Sequence, residues 1–399
     1  MSGARRSIAT TDQTLALLGS GGANRGRPVD VVGGGIAGLA TALAFARSGA
    51  EVTVHEQAPE LTEVGAGIQV TPNGARVLDG LGLAEVASRR AIRADAVEPR
   101  DALTGRPVTR FDLRKLSGPP YRFFHRYDLI DMLAEGCRAA GVTIRTGQRI
   151  EPLGEWPVER ADGALLIGAD GLHSVLRPLL NKPAQPFFAG QVAWRATVAV
   201  ESPPVARIWM APGRHVVTYP LQGGRLNIVA VREQADWAAE GWHHLDDPAN
   251  LQAAFADTAP ELRTILGAVT SVNLWGLFRH PVAQRWHNDD TAIIGDAAHP
   301  TLPFLAQGAN LALEDAYVLA RCCDTFGDLP TALARYQALR RDRVARAIAA
   351  ANANAVNYHL AGMKRRVAHL GLKGLGVLAP RAFLGRMDWL YGHDVTAIG

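Results

Sequence analysis

Hydrophobic positions follow one rhythm at the two ends of this chain and another in its middle. After Arg27-Pro28, the short apolar run Val29-Asp30-Val31-Val32 stops at a cluster of glycines. Ile36 to Arg47 is rich in Ala and Leu and predicts a helix closed by Gly49, and Glu51-Val52-Thr53-Val54-His55-Glu56 has the β-branched content of a second strand. A loop with Gly65, Gly67 and the turn Pro72-Asn73-Gly74 follows, then a helix from about Ala75 to Leu81. His125 to Ala140 reads as a helix, Val142 to Ile150 as a strand, and Leu165-Leu166-Ile167 as a short buried strand. Between about Pro186 and Pro281 the pattern changes. Val192–Val200, Val205–Met210, His215–Tyr219 and Arg225–Val231 alternate or are β-rich, which predicts a mainly antiparallel sheet. Ala292-Ile293-Ile294 returns to the buried pattern. A helix from about Gly308 to Cys323 and a long Arg- and Ala-rich helix to about Ala361 come after it.

Composition narrows the class without naming the chemistry. The 399 residues are 48% hydrophobic and 20% charged, as in an ordinary globular protein with room for two or three structural units. A net charge of +4 with scattered basic residues argues against a nucleic-acid partner and suits an anionic cofactor or substrate. Cys137, Cys322 and Cys323 form neither a metal spacing nor a disulfide framework, and so low a count fits a reducing cytoplasm. The uncharged stretch Val31 to Ala46 falls short of the ~20 residues of a spanning helix. Arg5-Arg6 invites a twin-arginine reading, but Thr10-Thr11-Asp12-Gln13 interrupts any apolar region behind it, so residues 1–27 are expected to be a flexible extension. Lys364-Arg365-Arg366, Lys373 and Arg381 with interspersed Leu read better as a terminal helix over the body than as a membrane-docking surface. His243-His244 with Asp246-Asp247 is expected to be a solvated loop, with no metal site.

Three motifs can carry chemistry. In Gly33-Gly34-Gly35-Ile36-Ala37-Gly38, Gly33 makes a tight turn, Gly35 leaves room for a pyrophosphate to approach the backbone, and Gly38 lets helix and strand pack closely. The helix N-terminus behind them offers free N–H groups and partial positive charge. Glu56, at the end of the second strand, is placed to accept the hydroxyls of an adenosine ribose. Gly168-Ala169-Asp170-Gly171 follows a buried strand, and alone can be a simple turn with an Asp cap. Gly295-Asp296-Ala297-Ala298-His299-Pro300 leads to Pro303 and Gly308-Ala309-Asn310. Here the Asp can accept from a sugar-alcohol hydroxyl, and the helix start can offer N–H groups to an electron-rich edge such as a flavin's N1–C2=O.

Taken in order, these motifs resemble the class A FAD-dependent aromatic hydroxylases, closest to the salicylate and 3-hydroxybenzoate hydroxylase branch. Gly65-Ala66-Gly67-Ile68-Gln69, His125-Arg126-Tyr127-Asp128-Leu129 and Val192-Ala193-Trp194-Arg195 match as well, and the resemblance covers roughly residues 28 to 345. It implies an α/β fold: a Rossmann-like, glutathione-reductase-like FAD-binding domain at residues 28–185 and 282–330, an inserted antiparallel substrate sheet at 186–281, and a helical region at 331–399. Some substrate-domain segments are expected near 75–125. The resemblance further implies that Glu56 binds the adenosine ribose and Arg126 the ribityl or pyrophosphate region of FAD. Asp170 and Gly171 would serve both FAD and a transient NADH or NADPH, Asp296 the ribityl chain, and Pro303 with Gly308, Ala309 and Asn310 the isoalloxazine. The segment Glu151 to Ala164 is shorter than the meander such proteins carry before the GADG strand.

Hydroxylation in such enzymes uses a flavin C4a-hydroperoxide that attacks an activated phenol, so a base near the ring is expected. His215 and Tyr219 are the leading candidates, since even spacing in a strand sets both on one face. His299 is a second candidate base or a structural cap. Gln69 is a candidate hydrogen-bond donor to the substrate ring, and Arg195 and Arg214 are candidates for a substrate carboxylate. The expected partners are a small aromatic acid, NAD(P)H and O2, in a monomer or homodimer. A hydroxynicotinate-like substrate, or a flavin reductase or dehydrogenase on the same fold, are the alternatives.

Overall fold

The computed structural model describes residues 22–61, 67–151, 163–236, 244–378 and 385–397. Its first sheet is five-stranded and parallel, in the order Thr291–Ile293, Leu165–Gly168, Pro28–Val32, Glu51–His55, Thr143–Arg145. Val31, Val54, Leu165, Ile167 and Ile293 are fully buried, because helices cover this sheet and its strands have no solvent face to supply polar alternation. The helix Ile36–Arg47 leaves the first strand through the glycines and packs on the helices Arg126–Ala139 and Gly308–Thr325.

The second sheet has eight strands and is antiparallel apart from one parallel pair, Val205–Ala211 with Ala96–Asp101. One face buries Trp194, Trp209, Val216 and Ile228 against Leu251 and Leu262 of two short helices, Pro248–Ala254 and Pro260–Gly267. The other face looks toward the first sheet. A small sheet of Gly67–Val70, Arg122–His125 and Ala91–Arg93 joins the two. The long helix Leu329–Tyr358 is capped by Asp328, whose Oδ1 accepts from the Thr331 N–H at 2.9 Å. It is riveted to the Gly308 helix by Arg340, fully buried between Glu314 and Asp315 at 2.6 and 2.7 Å. Helix Gly362–Leu378 reaches the second sheet through Arg365, which pairs with Asp101, while the segment around Leu390 packs into the core of the first sheet, where Arg343 and Arg76 hold the carbonyls of Trp389, Leu390 and Tyr391. Among the described residues no helix is long and apolar enough to cross a membrane.

Four expectations are corrected. Residues 22–27 are part of the body: buried Asn24 donates to Ser48 Oγ at 2.9 Å and to the Ala320 carbonyl at 3.0 Å, and Arg27 donates to the Cys323 carbonyl. Only residues 1–21 of the expected extension lie outside the described residues. The strand expected over Val142–Ile150 spans only Thr143–Arg145, since the chain turns away at Gly147, whose N–H reaches the Ala58 carbonyl. His244–Asp246 is an edge strand, in which Asp246 accepts from the Trp194 indole N–H at 2.6 Å. Lastly, the two short helices stand in a stretch read as sheet. The shortened segment before the GADG strand lies largely outside the described residues, as do Gly65, Ala66 and His243.

Candidate active site

The glycine turn has the geometry its spacing demands. Gly33 has φ +106°, and a Cβ there would come within 2.4 Å of the Ala169 carbonyl oxygen. A Cβ on Gly38 would stand 1.8 Å from the Gly33 carbonyl oxygen, whereas one on Gly35 meets nothing within 4 Å. The first and third glycines therefore serve packing, and the second keeps a space open at the N-terminus of helix Ile36–Arg47. Glu56 is set beside it, its Oε2 accepting from Gly34 N–H at 2.6 Å and its Oε1 from Ala58 N–H at 2.7 Å.

From this turn a cavity of about 980 Å³ runs between the sheets. Gly35 and Arg126 line one end, Gly171, Asp296 and the Pro303–Ala309 stretch line the middle, and the second sheet walls the far end. Asp296 is exposed to the cavity, where partial desolvation by the surrounding walls pushes its carboxyl above the usual range, against the pull of His299 and Arg126. Ala306, at φ 54°, swings the chain from the Pro303–Leu305 turn into the Gly308 helix. Gln307 at its N-cap makes no capping bond, so the first N–H groups stay open beside the cavity, where Gly308 and Ala309 line it. An open cradle at Gly35, the Asp296 carboxyl on the cavity wall and an uncapped helix start fit a dinucleotide.

Two of the expected contacts stand behind this wall. Asp170 Oδ2 accepts from the N–H groups of Val175 and Leu176 at 2.7 and 3.3 Å, shaping the loop that presents Gly171 to the cavity. The Asn310 carboxamide accepts from Thr71 N–H at 2.9 Å and donates to the Gln69 carbonyl at 3.0 Å, tying the small sheet to the helix. Neither side chain lines the cavity.

At the far end, His215, Val217 and Tyr219 alternate along strand Arg214–Leu221 and all line the cavity, as even spacing requires. Burial pushes Tyr219 well up, despite Arg195 and Gln69 nearby, and its ring packs on Phe123 at 5.1 Å. Gln69 accepts from the Tyr121 hydroxyl at 2.6 Å, and the Arg195 guanidinium lies 4.4 Å above the Trp275 ring. Burial, and then His359, push His215 well below the ordinary imidazole value, so its ring is neutral.

The same alternation removes Arg214, which points to the opposite face, pairs with Asp257 and lies over Phe255. His299 is also corrected: it is 1% exposed, faces Trp286 and bonds Asp315 away from the cavity. Burial pushes Asp315 up, but His299 and Arg340 outweigh it and hold the carboxyl below its usual range. Tyr121, Tyr358, His359 and the apolar residues of helix Gly362–Leu378 were not singled out from sequence. They reach the site from separate elements and share no local motif.

Residues 27–351 match the family described as FAD binding domain, and the chain belongs to it. It is an FAD-dependent monooxygenase. A 3-amino-4-hydroxybenzoate 2-monooxygenase from Streptomyces cremeus is 38% identical, over 83% of this chain and 88% of its own. A 3-hydroxybenzoate 6-hydroxylase from Polaromonas naphthalenivorans is 36% identical, over 92% and 96%. The crystal structure of Klebsiella pneumoniae HpxO complexed with FAD and uric acid superposes with a TM-score of 0.79 at 27% identity, covering 94% of this chain and 98% of that one.

Proposed function

We propose that this chain hydroxylates a small phenolic acid of the hydroxybenzoate type, using O2 and electrons from NADH or NADPH. The observation that carries the reading is the pairing of His215 and Tyr219 on one cavity wall continuous with the cofactor cleft. FAD, when bound and reduced, supplies the activated oxygen. His215, neutral and buried, takes the phenolic proton, and the resulting phenolate is the stronger carbon nucleophile. Assistance of this kind is worth ~10²–10⁴-fold. Tyr219 holds the phenolic oxygen, Gln69 is fixed by Tyr121 to donate toward the ring, and Arg195 meets the carboxylate. Apolar walls from Val229, Leu302, Leu372 and Leu375 keep water from the reacting centre.

The named activities of the two relatives above favour hydroxybenzoates. The uric acid complex of HpxO supports a hydroxylated N-heteroaromatic as the second reading. The test is to mix the yellow protein with NADH or NADPH and a panel of phenolic acids, and to look for a product one oxygen atom heavier. Rapid nicotinamide oxidation with no oxygenated product from any phenol would sink the proposal. His215→Ala and Tyr219→Phe are expected to slow product formation while FAD stays bound, and unchanged turnover in both would remove them from the mechanism.

A further inference from the structure

His215 does not stand alone. Its Nδ1 lies 2.7 Å from Nε2 of His359, and Nδ1 of His359 lies 2.9 Å from Oε1 of Glu233. The three come from different elements: strand Arg214–Leu221, the residue just after helix Leu329–Tyr358, and the end of strand Arg225–Glu233. Backbone bonds clamp them together, with Gly213 donating to the His359 carbonyl at 3.1 Å and Glu233 donating to the Gly213 carbonyl at 2.9 Å. Exposure rises along the chain, from His215 at 2% and the His359 side chain at 2% to the Glu233 side chain at 59%. One end lines the cavity and the other meets solvent.

The chemistry of the acceptor fixes the protons. An ionised carboxylate only accepts, so His359 carries its proton on Nδ1 and turns a bare Nε2 toward His215. His215 must then donate from Nδ1, which leaves its own Nε2 unprotonated. That nitrogen has no hydrogen-bond partner among the described residues. Among the other ionisable groups near this wall, Arg365 and His369 face Asp101 at 2.7 and 3.6 Å, Arg195 lies over Trp275, and the Tyr358 hydroxyl donates to the Phe304 carbonyl.

We infer that Glu233 and His359 are positioning residues that present His215 Nε2 to the cavity as a proton acceptor and carry the accepted proton to the surface. This rests on the phenol-hydroxylase reading above. The phenolic proton passes to His215 Nε2, the His215 Nδ1 proton to His359 Nε2, and the His359 Nδ1 proton to Glu233 and then water. Both imidazoles end neutral. Running the chain in reverse reprotonates the product phenolate and restores the starting tautomers.

The test uses the FAD-loaded protein with ¹⁵N-labelled histidine, read by multiple-bond NMR near neutral pH. The expected result is a proton on Nδ1 and a bare Nε2 in both rings, with His215 becoming a tautomer mixture in Glu233→Ala. A parent protein with His215 protonated on Nε2 overturns the inference. With 3-hydroxybenzoate as the probe, Glu233→Ala and His359→Gln should lower kcat about tenfold or more, with KM within about twofold and FAD content unchanged. Unchanged kcat in both variants overturns the relay even if the tautomers are as expected. If the parent does not oxygenate 3-hydroxybenzoate, that counts against the substrate proposal, and the tautomer measurement, which needs no substrate, still decides this one.

Discussion

A methyl group added at Gly38 would lie 1.8 Å from the Gly33 carbonyl oxygen, more than an ångström short of the 3.0 Å that real Cβ atoms keep. Both partners are backbone, one in the glycine turn and one in the first turn of the helix, so neither can rotate away. Overpacking of this kind costs ~1–3 kcal/mol, occasionally more. At Gly35 the same methyl meets no protein atom within 4 Å, and the backbone, at φ −77°, suits alanine. Gly35→Ala should therefore leave the FAD-free protein nearly as stable as the parent, apart from ~0.5 kcal/mol of lost N-cap preference. Its penalty falls on the cofactor, because the methyl occupies the space the pyrophosphate needs. The same overpacking of ~1–3 kcal/mol then weakens FAD by roughly 5- to 150-fold. Thermal unfolding of the FAD-free proteins and fluorescence titration with FAD measure the two effects separately. Equal loss of FAD-free stability in both variants, or parental FAD affinity in Gly35→Ala, would refute the division of roles.

Other outcomes follow from the charges. Arg340→Met removes the cation between Glu314 and Asp315, leaving two buried carboxylates short of a partner, and is expected to cost ~3–5 kcal/mol in denaturant unfolding. Arg214→Ala, at a half-buried site paired with exposed Asp257, should cost under ~1 kcal/mol and leave the KM for the aromatic acid unchanged. A raised KM would return Arg214 to the cavity. Burial lowers the folded-state pKa of His215 and His359 below the ordinary 6.5. Unfolded chains then bind more protons than folded ones, so the stability these rings contribute is present above about pH 6.5 and drains away as pH falls. Unfolding free energy measured from pH 8 to 5 should decline over that window, and less so in His215→Phe. A flat profile would contradict the burial argument.

What could be read from the sequence was whatever is encoded locally. The turn from Gly33 to Gly38 is a contiguous string whose steric demands are visible letter by letter, and the His215–Tyr219 alternation needs only the period of a strand. The parity that sets His215 on the cavity face also turns Arg214 to the opposite one. His299 and Asn310 failed for another reason. They sit next to residues that do face the cavity, but a tight turn and a helix rotate successive side chains by about a quarter turn or more, and adjacency in sequence does not fix direction. His359, Glu233 and Tyr121 were hidden because they meet only after the long helix, the second sheet and the small sheet have come together. The helices at 248–267 were obscured by a stretch of strands on either side.

The far end of the cavity is roofed by Tyr358, Leu372, Leu375 and Tyr391, while the cofactor cleft is lined by residues no later than Ala312. A growing polypeptide thus completes its flavin cradle many residues before its substrate chamber is closed. Replacing Leu372 and Leu375 by alanine would thin that roof while leaving His359 and the Leu390 segment in place. Such a variant would divert electrons from NADH or NADPH to oxygen, giving hydrogen peroxide and oxidised nicotinamide in place of product, and the ratio of peroxide to hydroxylated acid would measure how far the roof governs coupling.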